Sequence, residues 1–290
     1  MNTTFILNRL QVYGRLIRIE MPVGATLLLW PTWIALWIAA NGNPLWHWVV
    51  IFGITPFLMH SAGCAVNDYL DRDFDAQVLR TKNRPFPAGE IQAYEAWGIA
   101  ILCGVLGILC LIPMPLLAWK VAVVAAFLLL TYPLTKRFFP IPQLYLAIAY
   151  SFGIPMAFAA QTNSLPWIVV LLMLANIPWV IAFDTIYAIS DKPDDINIGI
   201  RTSALTFGDY DVIWVMALHG LHAILMAAVG WVLHAHILFW LFWGIAVFLQ
   251  AIQYFRIKNR NREACFQTFL FNNNVGLCMF IAVLAHYAAI

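Results

Sequence analysis

The composition of this 290-residue chain excludes an ordinary soluble protein. Hydrophobic residues make up 63% of it and charged residues only 10%, against roughly half and a quarter in soluble domains. Mean hydropathy is +0.80 and the formal net charge is +2, so we expect no nucleic-acid partner. The composition predicts a polytopic membrane protein that is all-α, because helices satisfy their own backbone hydrogen bonds in lipid.

Nine apolar segments are long enough to cross a bilayer as helices, which takes about 17 to 25 residues each. The predicted spans are residues 21–40, 45–66, 96–112, 116–132, 144–160, 166–183, 212–233, 237–254 and 268–289. Turn-forming residues such as Asn41-Gly42-Asn43-Pro44 separate them. No gap between spans is long enough for a soluble domain, so we predict a single membrane domain over residues 1–290.

The basic residues predict the orientation of the chain, because Lys and Arg near span ends stay in the cytoplasm. If the N-terminus is cytoplasmic, 15 of the 16 basic residues fall in cytoplasmic loops and only Lys120 falls outside. Every acidic residue falls on that same side. We therefore predict a cytoplasmic N-terminus and a C-terminus on the opposite side.

Two acidic clusters interrupt this apolar pattern. Residues 67–75 and 184–195 contain eight of the 14 acidic residues. Asp71 and Asp75 are four residues apart, as are Asp191 and Asp195, so each pair can share one helical face one turn apart. Carboxylates at the ends of apolar helices are costly unless they bind a cation or line a wet cavity.

The residue types in and near these clusters favour a metal-bound polyanion. Carboxylates from two segments form a set of hard oxygen ligands suited to Mg²⁺, and Asn67, one turn before Asp71, can add an amide oxygen. The nearby cations are Arg80, Lys82, Arg84, Lys136, Arg137, Lys192 and Arg201. Charges of both signs indicate a magnesium-bound anion, most simply a diphosphate, although the positive-inside rule explains any single cation equally well.

The same residues resemble the UbiA superfamily of intramembrane aromatic prenyltransferases. Asn67-Asp68-x-x-Asp71-x-x-x-Asp75 is similar to its first signature, and Asp184-x-x-Tyr187-x-x-x-Asp191-x-x-x-Asp195 to its second. Within the superfamily, three further features resemble the bacterial 4-hydroxybenzoate polyprenyltransferases of ubiquinone synthesis. They are Asp194 beside Asp195, Arg80-Thr81-x-Asn83-Arg84-Pro85 and Tyr132-Pro133-x-x-Lys136-Arg137.

The resemblance implies a fold and a reaction. The fold is nine transmembrane helices around a central cavity that opens to lipid and is capped by cytoplasmic loops, in a bacterial inner membrane. The reaction is the Mg²⁺-dependent transfer of a long polyprenyl chain from its diphosphate to the carbon ortho to the phenol of 4-hydroxybenzoate. The expected partners are therefore polyprenyl diphosphate, 4-hydroxybenzoate and the lipid bilayer.

The resemblance also implies roles for individual residues. The expected ligands of the Mg²⁺-diphosphate are Asn67, Asp68, Asp71, Asp75, Asp184, Asp191 and Asp195, with Asp71, Asp75, Asp191 and Asp195 as the catalytic core. Expected contacts to the diphosphate come from Arg80, Arg84, Lys136 and Lys192, with Tyr132 or Tyr187 as a hydrogen-bond donor. Arg18 or Arg137 is expected to bind the acceptor carboxylate, with a slight preference for Arg137, because the adjacent Lys136 could then hold the diphosphate.

Two alternatives remain open at this point. An ion-coupled transporter would also place carboxylates around a coupling ion, but its usual mark, ionisable residues at the centres of spans, is almost absent here. A prenyltransferase acting on a different aromatic acceptor would carry the same aspartates.

Overall fold

The computed structural model describes residues 3–135 and 137–290, and over these ranges it contains helices and no strands. The helices are α1 Thr3–Leu16, α2 Val23–Ala39, α3 Trp46–Leu70, α4 Arg72–Asp75, α5 Ala93–Leu111, α6 Leu116–Thr135, α7 Pro142–Ser151, α8 Gly153–Thr162, α9 Ile168–Ile198, α10 Ser203–Phe207, α11 Asp211–Val232, α12 Ile237–Ala251, α13 Gln253–Ile257 and α14 Arg262–Ala288.

The described residues confirm the all-helical membrane fold and are consistent with nine spans. Eight helical segments are long and apolar enough to cross a membrane, and α2 is a shorter apolar helix. One of the eight joins α7 and α8 across a break at Phe152, and another joins α12 and α13 across Ile252. The α5 and α6 spans are among the least enclosed, whereas the α7–α8 and α9 spans are the most enclosed.

The second acidic cluster lies within the sixth membrane helix and does not follow that helix as a loop. The sixth span was expected to end at residue 183, but α9 continues through the cluster to Ile198 and stops at Gly199, whose φ of +77° is the left-handed conformation that commonly ends helices. Asp184, Asp191 and Asp195 therefore occupy positions i, i+7 and i+11 on one helical face. A rigid helix, and not a loop, fixes their spacing.

Buried polar side chains join α9 to α11, α13 and α14. Trp179 Nε1 donates a hydrogen bond to Asn272 Oδ1 (3.2 Å), and Asn272 Nδ2 donates to Gln253 Oε1 (3.0 Å). His219 Nε2 lies 3.2 Å from the same Gln253 oxygen. An unpaired polar group in the bilayer core costs several kcal/mol, so these contacts fix how the helices pack together.

The N-terminal helix α1 packs against the segment that leads into α5. Arg9 Nη1 donates to the backbone oxygen of Glu90 (2.8 Å), and the Tyr13 hydroxyl donates to Glu95 (2.7 Å). Arg9 also pairs with Glu95, and Arg15 with Glu90. Basic residues that the sequence used only to predict orientation therefore also neutralise nearby acids.

The predicted orientation can be tested with single cysteines in a background without the five native ones. Cysteines at Lys82, Asn197 and Asn259, all exposed, should react with a membrane-impermeant maleimide only from the cytoplasmic side. A cysteine at exposed Asn163, after α8, should react only from the opposite side. Labelling of any site from the wrong side would contradict the predicted topology.

Candidate functional site

A cavity of about 520 Å³ lies between α2, α3, α6, α7, α9 and α14. The predicted site residues that line it are Arg18, Asn67, Asp71, Asp75, Arg80, Arg84, Tyr132, Arg137, Asp184, Tyr187, Asp191 and Asp195. Both acidic clusters, distant in sequence, thus face one space. Met21 and Leu130 also line the cavity and are 47% and 59% exposed, so it reaches the apolar outer surface of the bundle.

Direct contacts tie the segment after α4 to the end of α9. Arg80 Nε donates to Asp191 Oδ1 (3.1 Å), and the Leu79 backbone N–H donates to Asp194 Oδ2 (3.1 Å). Asp194 is held in turn by both terminal nitrogens of Arg262, each at 2.7 Å. Burial opposes the charge of Arg80, but Tyr187 and Asp191 outweigh it and hold the Arg80 pKa above its ordinary value. Arg80 therefore stays charged beside Asp191.

Asp68 anchors two arginines beneath the cavity lining. It is 1% exposed, and its Oδ1 accepts hydrogen bonds from Arg18 Nη2 (2.9 Å) and Arg84 Nη1 (3.1 Å). Arg84 Nη1 also donates to Asp75 Oδ2 (2.7 Å). Asp68, an expected metal ligand, does not line the cavity, and its Oδ1 is the carboxylate oxygen that positions Arg18 and Arg84.

The donor chemistry of the cavity fits Mg²⁺. Six of the predicted ligands, all but Asp68, contribute carboxylate or amide oxygens to its lining, and these are the donors that Mg²⁺ prefers. The described part of the chain has no group of three or more His, Cys, Asp or Glu residues placed to hold an ion. Of the six, Asp75 and Asp191 are paired with arginines that neutralise them.

Of the two lysines that were expected to contact the diphosphate, the structure describes only Lys192. Lys192 does not line the cavity: its Nζ donates to Asp211 Oδ2 and to the Gly208 backbone oxygen, both at 2.6 Å. Lys192 follows Asp191 on α9, and adjacent helical residues point in different directions, so the expected contact with diphosphate is not supported. Lys136 lies outside the described residues.

An aromatic wall lines the cavity next to the charged groups. It consists of Phe183, Tyr187, Phe266 and Phe269, from α9 and α14. The ring centroids of Tyr187 and Phe269 are 4.9 Å apart, and the Arg80 guanidinium lies 4.4 Å from the centroid of the Tyr187 ring. The sequence flagged Tyr187 but could not separate Phe266 and Phe269 from the many lipid-facing aromatics.

The two candidate partners for an acceptor carboxylate differ in their surroundings. Arg18 is partly buried and held by Asp68, whereas Arg137 is exposed. Arg18 also has a φ of +57°, a left-handed conformation that costs a non-glycine residue about 1 kcal/mol. Cavity residues that the sequence missed are His60, Cys64 and Tyr150, each an ordinary residue within an apolar span.

The chain belongs to the UbiA prenyltransferase family, whose model matches residues 28–283. It is 52% identical over 279 residues to a 4-hydroxybenzoate octaprenyltransferase of Neisseria meningitidis serogroup C, covering 96% of this chain and 94% of that protein. It is 48% identical over 281 residues to the protein of the same name from Paraburkholderia phytofirmans, covering 97% and 98%.

Solved structures share the fold. An apo UbiA homologue from Aeropyrum pernix K1 superposes with a TM-score of 0.78 at 20% identity, covering 90% of this chain and 97% of that one. A UbiA homologue from Archaeoglobus fulgidus bound to GPP and Mg²⁺ gives a TM-score of 0.72 at 19% identity, covering 94% and 99%.

Replacing Asp68 by alanine should destabilise the protein. Removing one partner of a buried ion pair typically costs about 3–5 kcal/mol, and here it leaves Arg18 and Arg84 without their shared carboxylate. We expect the Tm in detergent to fall by roughly 5 °C or more. The matched control is Asp73→Ala, because Asp73 pairs with Arg72 but is 85% exposed, and its Tm should not change measurably. Equal Tm values for the two variants would contradict the anchoring role.

Proposed function

We propose that this protein transfers a polyprenyl group from its diphosphate to the carbon ortho to the phenol of 4-hydroxybenzoate, as a membrane step of ubiquinone synthesis. The observation that carries the proposal is the single cavity in which two aspartate clusters, their arginines and an aromatic wall meet beside lipid. The names of the relatives at about half identity support the same acceptor. The proposal treats residues 1–290 as one domain in a bacterial inner membrane, with the N-terminus in the cytoplasm.

The charged end of the cavity is assigned to the diphosphate. Mg²⁺ would be held by six residues: Asn67, Asp71 and Asp75 from the first cluster, and Asp184, Asp191 and Asp195 from the second. When bound, Mg²⁺ would supply positive charge against which the diphosphate departs.

Arg80 and Arg84 have a role of their own at this end. Each is paired with a carboxylate, Asp191 and Asp75 respectively. A diphosphate carries more negative charge than one carboxylate, so both guanidinium groups would turn to it and leave the carboxylate oxygens available to Mg²⁺. The resting ion pairs thus keep buried acids neutralised until the substrate arrives.

The chemistry breaks the allylic C–O bond of the donor, forms a C–C bond at the ortho carbon and releases the ring proton. The allylic carbon gains positive charge as the C–O bond breaks. Tyr187, Phe266 and Phe269 place π-faces next to the diphosphate end, where they stabilise positive charge and keep water from trapping it. The cavity opening at Met21 and Leu130 would let the polyprenyl tail lie in lipid.

Arg18 is our choice for the acceptor carboxylate, although the sequence slightly favoured Arg137. Within the described residues, Arg18 donates from Nη2 to Asp68. The second N–H of Nη2 can still pair with Nε or Nη1 to donate to two carboxylate oxygens in parallel. It sits further into the cavity wall than exposed Arg137. Fixing it with Asp68 reduces the entropy lost on binding.

A product assay with its metal control tests the function. Purified protein with 4-hydroxybenzoate, polyprenyl diphosphate and Mg²⁺ should yield diphosphate and a prenylated acceptor identified by mass, and EDTA should abolish both. Asp71→Asn and Asp191→Asn should each lower kcat by at least about a hundredfold, because charge that acts on the leaving group is lost. Asp73→Asn, at an exposed position within the first cluster that does not line the cavity, is the control and should retain activity. Metal-independent turnover, or near-normal activity of Asp71→Asn, would refute the assignment.

The choice between the two arginines can be decided by steady-state kinetics. Arg18→Lys should raise the KM for 4-hydroxybenzoate at least about tenfold, or 1.4 kcal/mol, with little change in the KM for polyprenyl diphosphate. Lysine offers a point charge in place of a planar fork, so it binds the carboxylate less tightly. Because lysine has the same backbone strain at this position, strain does not explain the higher KM. Arg137→Lys is the matched variant and should have a smaller effect. The reverse order would assign the carboxylate to Arg137.

A further inference from the structure

His60 lines the cavity, and the roles assigned above leave it unused. It lies on α3 on the face that carries Cys64, Asn67 and Asp71, at positions i, i+4, i+7 and i+11. With a rise of 1.5 Å per residue, His60 is roughly 10 Å further into the membrane than Asn67. The cavity thus runs from the acidic clusters down to an imidazole.

The imidazole ring is tightly positioned. A Cβ atom at Gly24 of α2 would lie 2.1 Å from His60 Cε1 and 2.7 Å from Nδ1, so only glycine leaves room for the ring. A Gly24 Cβ would also lie 2.8 Å from His60 Nε2, and this nitrogen is 3.5 Å from Cys64 Sγ. A thiol is a weak hydrogen-bond partner, so a hydroxyl group placed there would be the better partner for Nε2.

The neighbours of His60 match the two ends of the proposed acceptor. Arg18 lines the same cavity as His60, and its guanidinium can bind a carboxylate. The hydroxyl of 4-hydroxybenzoate is para to its carboxylate, at the far end of the ring. An acceptor held by Arg18 can therefore direct its hydroxyl away from the guanidinium and toward the deeper cavity lining, to which His60 belongs.

We propose that His60 is a specificity-determining residue that hydrogen-bonds the phenol hydroxyl of the acceptor while Arg18 binds its carboxylate. The inference rests on the proposed function and deepens it. With the two ends fixed by different residues, the ortho carbon is presented to the allylic carbon in one orientation. A carboxylic acid that lacks the hydroxyl leaves His60 without this partner and binds less tightly.

Calorimetric titration with three ligands tests the proposal, because it measures binding and does not depend on prenyl transfer. A failure of the proposed reaction would appear in the product assay and not in these titrations. The ligands are 4-hydroxybenzoate, benzoate, which lacks the hydroxyl, and 4-methylphenol, which lacks the carboxylate. His60→Leu should weaken 4-hydroxybenzoate and 4-methylphenol at least about tenfold and leave benzoate unchanged. Arg18→Gln should show the complementary pattern, weakening 4-hydroxybenzoate and benzoate but not 4-methylphenol.

Two further variants separate hydrogen bonding from packing. His60→Gln keeps a donor and an acceptor and should recover part of the affinity for 4-methylphenol. Gly24→Ala displaces the ring without removing it and should reproduce the hydroxyl-selective loss. If His60→Leu is too unstable to purify, these two decide the question. Equal weakening of benzoate and 4-methylphenol, or no change in either, would overturn the proposal.

Discussion

The arrangement of this protein depends on neutralising carboxylates that are taken out of water. Asp68, Asp75 and Asp191 are 1%, 8% and 8% exposed, and a buried charge is tolerated only when it is paired and hydrogen-bonded. Arginine meets this need better than lysine, because one guanidinium can serve two carboxylates, as Arg84 does for Asp68 and Asp75. These pairs draw the segment after α4 onto the ends of α3 and α9, and that closure forms the charged end of the cavity.

The same pairing explains how one cavity can suit two substrates of like charge. A diphosphate and an aromatic carboxylate repel each other, so each needs its own cation. Arg80 is attached to Asp191 on α9, whereas Arg18 is attached to Asp68 on α3. The two guanidinium groups are therefore held by carboxylates on different helices. The rings of Tyr187 and Phe266 lie beside Arg80, so π-faces adjoin the charged end of the cavity.

The sequence predicted most of the fold because spanning helices require long apolar runs, and these are readable without knowledge of the neighbouring helices. It also predicted that the two clusters share a site. It missed the continuation of α9, because Asp184 to Asp195 has the polarity of a loop although its aspartates keep helical spacing. The orientation of Lys192 could not be predicted, because it depends on Asp211 and the Gly208 carbonyl, which another helix and turn supply. His60 carries no local signal, because its close approach to Gly24 of α2 depends on how the two helices pack.

The backbone of Arg18 shows what the protein gives up for this arrangement. A left-handed φ of +57° disfavours every residue with a side chain, and glycine would relieve the strain. Glycine would also remove the guanidinium that Asp68 holds. The turn between α1 and α2 thus keeps a strained arginine, and the hydrogen bond to a fully buried carboxylate offsets the strain. A guanidinium held in this way binds an anion without first losing conformational freedom, so the strain contributes to preorganisation of the site and is not a defect of the turn.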